Sequence, residues 1–196
     1  MEQSTVIIKS ESANPGSLGL LAFGMTTILL NLHNIGFFEM NSMLLAMGIF
    51  YGGIAQIIAG ILEFKKNNSF GLTAFISYGF FWLSLVALIL LPKWNLISAP
   101  SSNGMVAYLI MWGIFTGLMF IGTLKINKAL QFVFASLTIL FFLLALGDIT
   151  GSITIKTFAG YEGIICGASA IYAGFATLLN EVYGKAIMPI GTIIKS

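Results

Sequence analysis

Six apolar stretches, each long enough to cross a bilayer, fill most of this 196-residue chain. A spanning helix needs about 20 mainly apolar residues. The runs Leu18 to Phe38, Met43 to Glu63, Phe70 to Leu91, Gly104 to Thr123, Ala129 to Asp148 and Gly160 to Tyr183 meet that length. In hydrocarbon every backbone polar group must be satisfied within the protein, so only helices and closed barrels can span. Barrel strands are about 10 residues of alternating polarity, and runs such as Leu83 to Leu91 do not alternate. The expected fold is an all-α membrane protein with six transmembrane helices over residues 18–183. A polar N-terminal segment (1–17) and a tail (184–196) are expected on one side.

Composition agrees with this solvent. The chain is 58% hydrophobic and 8% charged, against about 25% charged in soluble domains. Residues 1–13 lack the apolar centre of a cleavable signal peptide, so the first apolar run is expected to act as an anchor. Cys166 is the single cysteine, which excludes an intramolecular disulfide and a multi-cysteine metal site. No metal, cofactor or enzymatic nucleophile set is expected.

The basic residues are nine lysines, and their placement orients the chain. With six spans, Lys9, Lys65, Lys66, Lys125, Lys128, Lys185 and Lys195 share one side, and Lys93 and Lys156 lie on the other. Cytoplasmic loops carry the lysine excess, so both termini are expected in the cytoplasm and the chain in the cytoplasmic (inner) membrane. The net charge of +2 is thus a topology signal, and no basic stripe points to nucleic acid.

Short connections at Asn41-Ser42, Lys65 to Ser69 and Ile126 to Lys128 make consecutive helices antiparallel neighbours. The pairs Gly48/Gly52, Gly113/Gly117 and Gly163/Gly167 have the spacing that lets helix backbones approach closely, within a protomer or between subunits. An ionisable group at the bilayer centre costs about 2.5–3.5 kcal/mol on insertion scales. Few fall within spans and none is expected deep: His33, Glu63, Asp148 and Glu181 sit near span ends, with Asn31 beside His33. Glu63, followed by Lys65 and Lys66, reads as a solvated edge, and no buried carboxylate or internal base is expected to form a relay or a charged clamp.

An anion must then be held by backbone N–H groups, amides and hydroxyls. Asn14 is a favoured N-cap, and Pro15 suits a first helical turn. Asn14, Ser17 and the Leu18 and Gly19 amides at that positive helix end form a candidate anion vestibule, although a cap that only starts the helix explains the same residues.

The ordered series Asn14-Pro15-x-x-Leu18-Gly19-Leu20, Phe23-Gly24, Asn31-Leu-His33-Asn34, Met47 to Gln56, Ala59-Gly60 to Glu63, Gly71 to Phe75 with Ser77-Tyr78-Gly79, Leu130-Gln131-Phe132 and Gly167 to Tyr172 resembles the acetate/succinate transporter family over nearly the whole chain. The resemblance implies one hydrophobic pore per protomer in a homohexamer, moving acetate, succinate and related small carboxylates, with or without protons. It also implies a constriction at Phe23, Tyr78 and Leu137, and a size-determining small residue at Ala170. Asn31, His33 and Gln56 are the polar groups expected along the path. The family motif usually has Ala-Pro where this chain has Gly16-Ser17.

Physics gives such a neck a task. Phe23 and Leu137 suit a methyl end, and the Tyr78 hydroxyl is expected to meet the carboxylate. A hydrophobic neck also gates by dewetting. An acid with a glutamate-like pKa is only about 2% protonated at pH 6, so the anion is the species that needs a protein path. A proton symporter, a neutral-solute or ammonia pore, and a non-transporting oligomeric scaffold remain as alternatives on the residues alone.

Overall fold

The computed structural model describes residues 13–193. Lys9 and Lys195, which enter the orientation argument, lie outside the described residues. Among the described residues six helices are long and apolar enough to span a membrane: α1 (Gly16–Asn34), α2 (Ser42–Lys65), α3 (Ser69–Lys93), α4 (Ser102–Thr123), α5 (Lys128–Thr150) and α6 (Ile153–Val182).

Each helix starts where a short polar side chain can satisfy an orphan N–H. The side chains of Asn41, Asn68, Ser101, Asn127 and Ser152 each accept from the backbone N–H three residues on. At α1 the Asn14 Oδ1 accepts from Gly16 N at 3.0 Å, and Pro15 is already in the right-handed helical region. Between α5 and α6 the chain turns on Gly151, at φ 65°. That is a left-handed conformation natural to glycine, and with Ser152 as cap it makes the connection two residues long.

Two span limits differ from the hydropathy reading. α1 stops at Asn34, where Gly36 N–H turns back to the His33 carbonyl, so the apolar Phe37 and Phe38 lie beyond it. α6 begins at Ile153, about two turns before Gly160, because Lys156 interrupts the apolar run without interrupting the helix. α2 also departs from a regular α-helix, since residues Met47–Ala55 are π-helical. Such widened turns are rare and concentrate at functional sites.

The helices form a ring in which α1 packs on α6, α6 on α5, α5 on α4, α1 on α2 and α2 on α3. α3 and α4 meet through side chains, by the Tyr78–Thr116 hydrogen bond and the Phe81–Trp112 and Phe81–Tyr108 ring contacts. The paired glycines, Gly117 excepted, serve this packing inside one protomer. A Cβ at Gly163 would overlap the Asn31 side chain, and one at Gly167 would strike the Gly24 carbonyl at 2.7 Å. Gly48 and Gly52 admit Val86 and Trp82 of α3, and Gly113 admits Phe142 of α5. Large apolar residues such as Phe50, Ile54, Ile58, Phe80, Leu118 and Ile165 remain exposed on the outer surface, as suits a protein whose outer solvent is lipid.

The ends of the ring differ. Asn14, Lys65, Lys66, Lys125, Lys128 and Lys185 lie at the lysine-rich face, and Lys93 and Lys156 at the opposite face. The segment after Val182 is no free tail over its described part. Asn180 bonds the backbone of Ile187 and Met188, Tyr172 bonds the Pro189 carbonyl, and the Ile190 and Gly191 carbonyls accept from Ala129 and Lys128 at the start of α5.

Candidate transport pathway

Three cavities lie within the ring, a lysine-side vestibule of about 230 Å³, a neck of about 20 Å³ and a distal vestibule of about 630 Å³. The neck is lined by Phe23 on α1, Gln56 on α2, Tyr78 on α3 and Leu137 on α5, with Leu20, Phe75 and Phe134. It shares Leu20, Ala74, Phe75 and Phe134 with the lysine-side vestibule. On the other side Phe81, which lines the distal vestibule, stands one turn beyond Tyr78. A neck of this size has room for about one water and is too small for a carboxylate.

The structure brings Phe23, Tyr78, Leu137 and Gln56 to this one point. Ala170, fully buried, belongs to the same side-chain cluster. The Tyr78 ring is held on several sides, with centroids 5.8 Å from Phe23, 5.7 Å from Phe115 and 6.0 Å from Phe134. Its hydroxyl differs from expectation. It donates to Thr116 Oγ1 at 2.9 Å, and that hydroxyl donates in turn to the Trp112 carbonyl at 2.7 Å. The Tyr78 proton is therefore committed to α4, and the residue contributes a wall. Gln56 is the uncommitted polar group: it is 1% exposed, and its Oε1 has no partner. Because the two ends of an amide are assigned by their bonding, this side chain can turn its NH₂ toward a carboxylate.

The entry motif also differs from the expected anion cradle. The Gly16 N–H is taken by Asn14, the Gly19 N–H by the Pro15 carbonyl, and the Ser17 hydroxyl by the Asn14 carbonyl. Leu18 packs against the cluster of Leu20, Phe75 and Ala173. Gly19 exists to admit the Phe75 ring, which a Cβ would meet at 2.5 Å. The motif shapes the lysine-side vestibule, whose lining includes Asn14, Gly16, Glu63, Asn68 and Ile190.

Glu63 is not a solvated edge. It is 2% exposed, lines that vestibule and accepts from Asn68 Nδ2 at 2.7 Å. The nearby lysines masked this in the sequence, since a carboxylate next to two ammonium groups reads as surface.

Of the other polar residues, Asn31 lies off the cavities. It is fully buried, donates to the Thr27 carbonyl, accepts from Asn34 and fills the space above Gly163. His33 lines the distal vestibule, and its Nδ1 donates to the Phe38 carbonyl at 3.0 Å. Glu162, passed over in the sequence, lies within α6 one turn from Cys166, and its Oε2 is buried without a partner. Lys156 lines the distal vestibule and pairs with Asp148 at 2.7 Å, so a base does face this cavity. Counting α6 from Gly160 hid it.

This geometry has close counterparts. The chain is 61% identical over 179 residues to the succinate-acetate/proton symporter SatP of Escherichia coli strain K12, covering 91% of this chain and 95% of that protein. It is 34% identical over 180 residues to ammonia transport outward protein 2 of Saccharomyces cerevisiae, covering 86% of this chain and 64% of that one. Among solved structures, the bacterial acetate channel SatP superposes with a TM-score of 0.91 at 60% identity, covering 92% of this chain and all of that chain. A family model matches residues 2–190. By fold, sequence and extent of match, the chain belongs to the GPR1/FUN34/yaaH family.

Proposed function

We propose that this protein moves acetate and succinate across the cytoplasmic membrane as anions through the neck between Phe23, Tyr78 and Leu137. In this reading the lysine-rich face is cytoplasmic and the protein assembles as a homohexamer. The observation that carries the reading is the series of two vestibules separated by a minute apolar neck with one uncommitted amide. The substrates named for the Escherichia coli relative and for the solved channel support the substrate class.

The neck acts by matching both ends of the solute. A methyl or methylene group rests on Phe23 and Leu137, while the carboxylate exchanges water for the Gln56 amide and the electropositive edges of the surrounding rings. Hydrated inorganic ions find too few donors there and stay out. The proton named for the Escherichia coli relative enters this account as a partner of net flux, not as a ligand of the neck.

Labelled-acetate uptake into liposomes holding the purified protein tests this, with unlabelled succinate as competitor. Acetate uptake above protein-free vesicles and suppressed by succinate is expected, and Gln56→Leu weakens the suppression. The name of the yeast relative favours a second reading, an ammonia pore using the same apolar neck. Ammonia flux without acetate uptake would replace the first reading with the second.

A further inference from the structure

The distal vestibule holds one ion pair that the neck account leaves unused. Lys156, in the first turn of α6, and Asp148, near the end of α5, meet at 2.7 Å with side chains 41% and 24% exposed. Both line the cavity together with His33 and Asn34. The two-residue turn at Gly151-Ser152 brings them together, and Gly147 leaves room for the Lys156 stem, whose Cγ lies 2.8 Å from where a Cβ would stand.

We propose that Lys156 is a docking residue for carboxylates entering the distal vestibule, selective for a second carboxylate and hence for dicarboxylates over monocarboxylates. The inference rests on the carboxylate-transport reading above. An ammonium carries three donors, and Asp148 occupies one side of it. A solvent-exposed pair gains little net stability from its partner, so an arriving carboxylate shares or displaces Asp148 at small cost. The rest of the lining is largely apolar, with Leu30, Phe81, Leu85 and Leu144, and suits a short hydrocarbon chain. A monocarboxylate committed to the neck has no second charge to leave on Lys156, whereas a dicarboxylate keeps one there while its leading end reaches toward Phe81. Asp148 holds the ammonium at the wall and tempers its affinity, so docking does not become trapping.

The test is concentration-dependent flux of labelled acetate and labelled succinate in liposomes for wild type, Lys156→Met, Lys156→Arg and Asp148→Asn. Lys156→Met is expected to raise half-saturating succinate about fivefold with little change for acetate, the scale of one lost exposed charge contact. Lys156→Arg restores it, and Asp148→Asn lowers half-saturating succinate. The Lys156→Met effect shrinks at high salt, because exposed charge pairs are screened. Unaltered succinate saturation in both Lys156→Met and Asp148→Asn, or equal loss of maximal rate for both acids, overturns the proposal while leaving acetate transport intact. Absence of acetate flux in wild type instead defeats the transport reading itself.

Discussion

The Tyr78 hydroxyl bonds Thr116 and so faces away from the neck. Tyr78→Phe is therefore expected to keep acetate flux within about twofold, since it removes one neutral hydrogen bond worth roughly 1 kcal/mol of stability and no substrate contact. Tyr78→Ala opens the neck and changes flux and selectivity together. Flux assays of the two variants check this, and a collapse in Tyr78→Phe would return the hydroxyl to the substrate. Leu137, 3% exposed, lines the neck. Leu137→Ala is expected to broaden acceptance toward larger acids and to cost about 2–5 kcal/mol of stability, as buried leucine truncations do. Flux ratios across acids of increasing size, with thermal unfolding in detergent, read both effects. Residues whose role depends on a partner far along the chain were not legible in the sequence. Tyr78 bonds a residue 38 positions away, and Glu63 is buried by the fold of Asn68 and Gly16 around it.

The helices themselves were readable because the two signals that make them are local, an apolar run and a capping Asn or Ser. Their limits were readable only where the two coincide, as at Asn68 and Asn127. At the start of α6 the cap is Ser152, but the apolar run resumes only after Lys156, and hydropathy followed the latter. The π-helical stretch of α2 left no mark on the sequence beyond three glycines. A widened turn is chosen by tertiary fit, here Gly52 against Trp82 and Thr26. At this scale the α1–α6 contact is the most demanding. Gly163→Val would drive a branched side chain into Asn31, and overpacking of this kind costs about 1–3 kcal/mol or more. A lowered melting temperature with reduced flux is expected, while Gly117→Ala, whose Cβ would meet only Thr138 at 3.6 Å, leaves both nearly unchanged. Equal effects from the two substitutions would contradict the assignment of Gly163 to helix packing.

Across the whole molecule the path is asymmetric. One vestibule holds about 630 Å³ and contains Lys156, and the other holds about 230 Å³, contains Glu63 and is bordered by the returning C-terminal segment at Ile190. Between them the described residues line the neck with no charged side chain and, besides Tyr78 with its hydroxyl bonded to Thr116, with Gln56 as the one polar group. A neck without an ionisable relay passes the solute in the charge state it brings, and at neutral pH a small carboxylic acid brings a negative charge. Movement of that charge across the membrane is worth about 2.3 kcal/mol per 100 mV, which makes voltage the direct probe of the account. The decisive measurement is labelled-acetate flux through the purified protein in sealed liposomes, with equal pH on both sides and an imposed potential. The account predicts flux that follows the potential, inward when the interior is positive and reversed when it is negative. Flux that ignores the potential and follows only an imposed pH difference, after correction for leakage in protein-free vesicles, would contradict it.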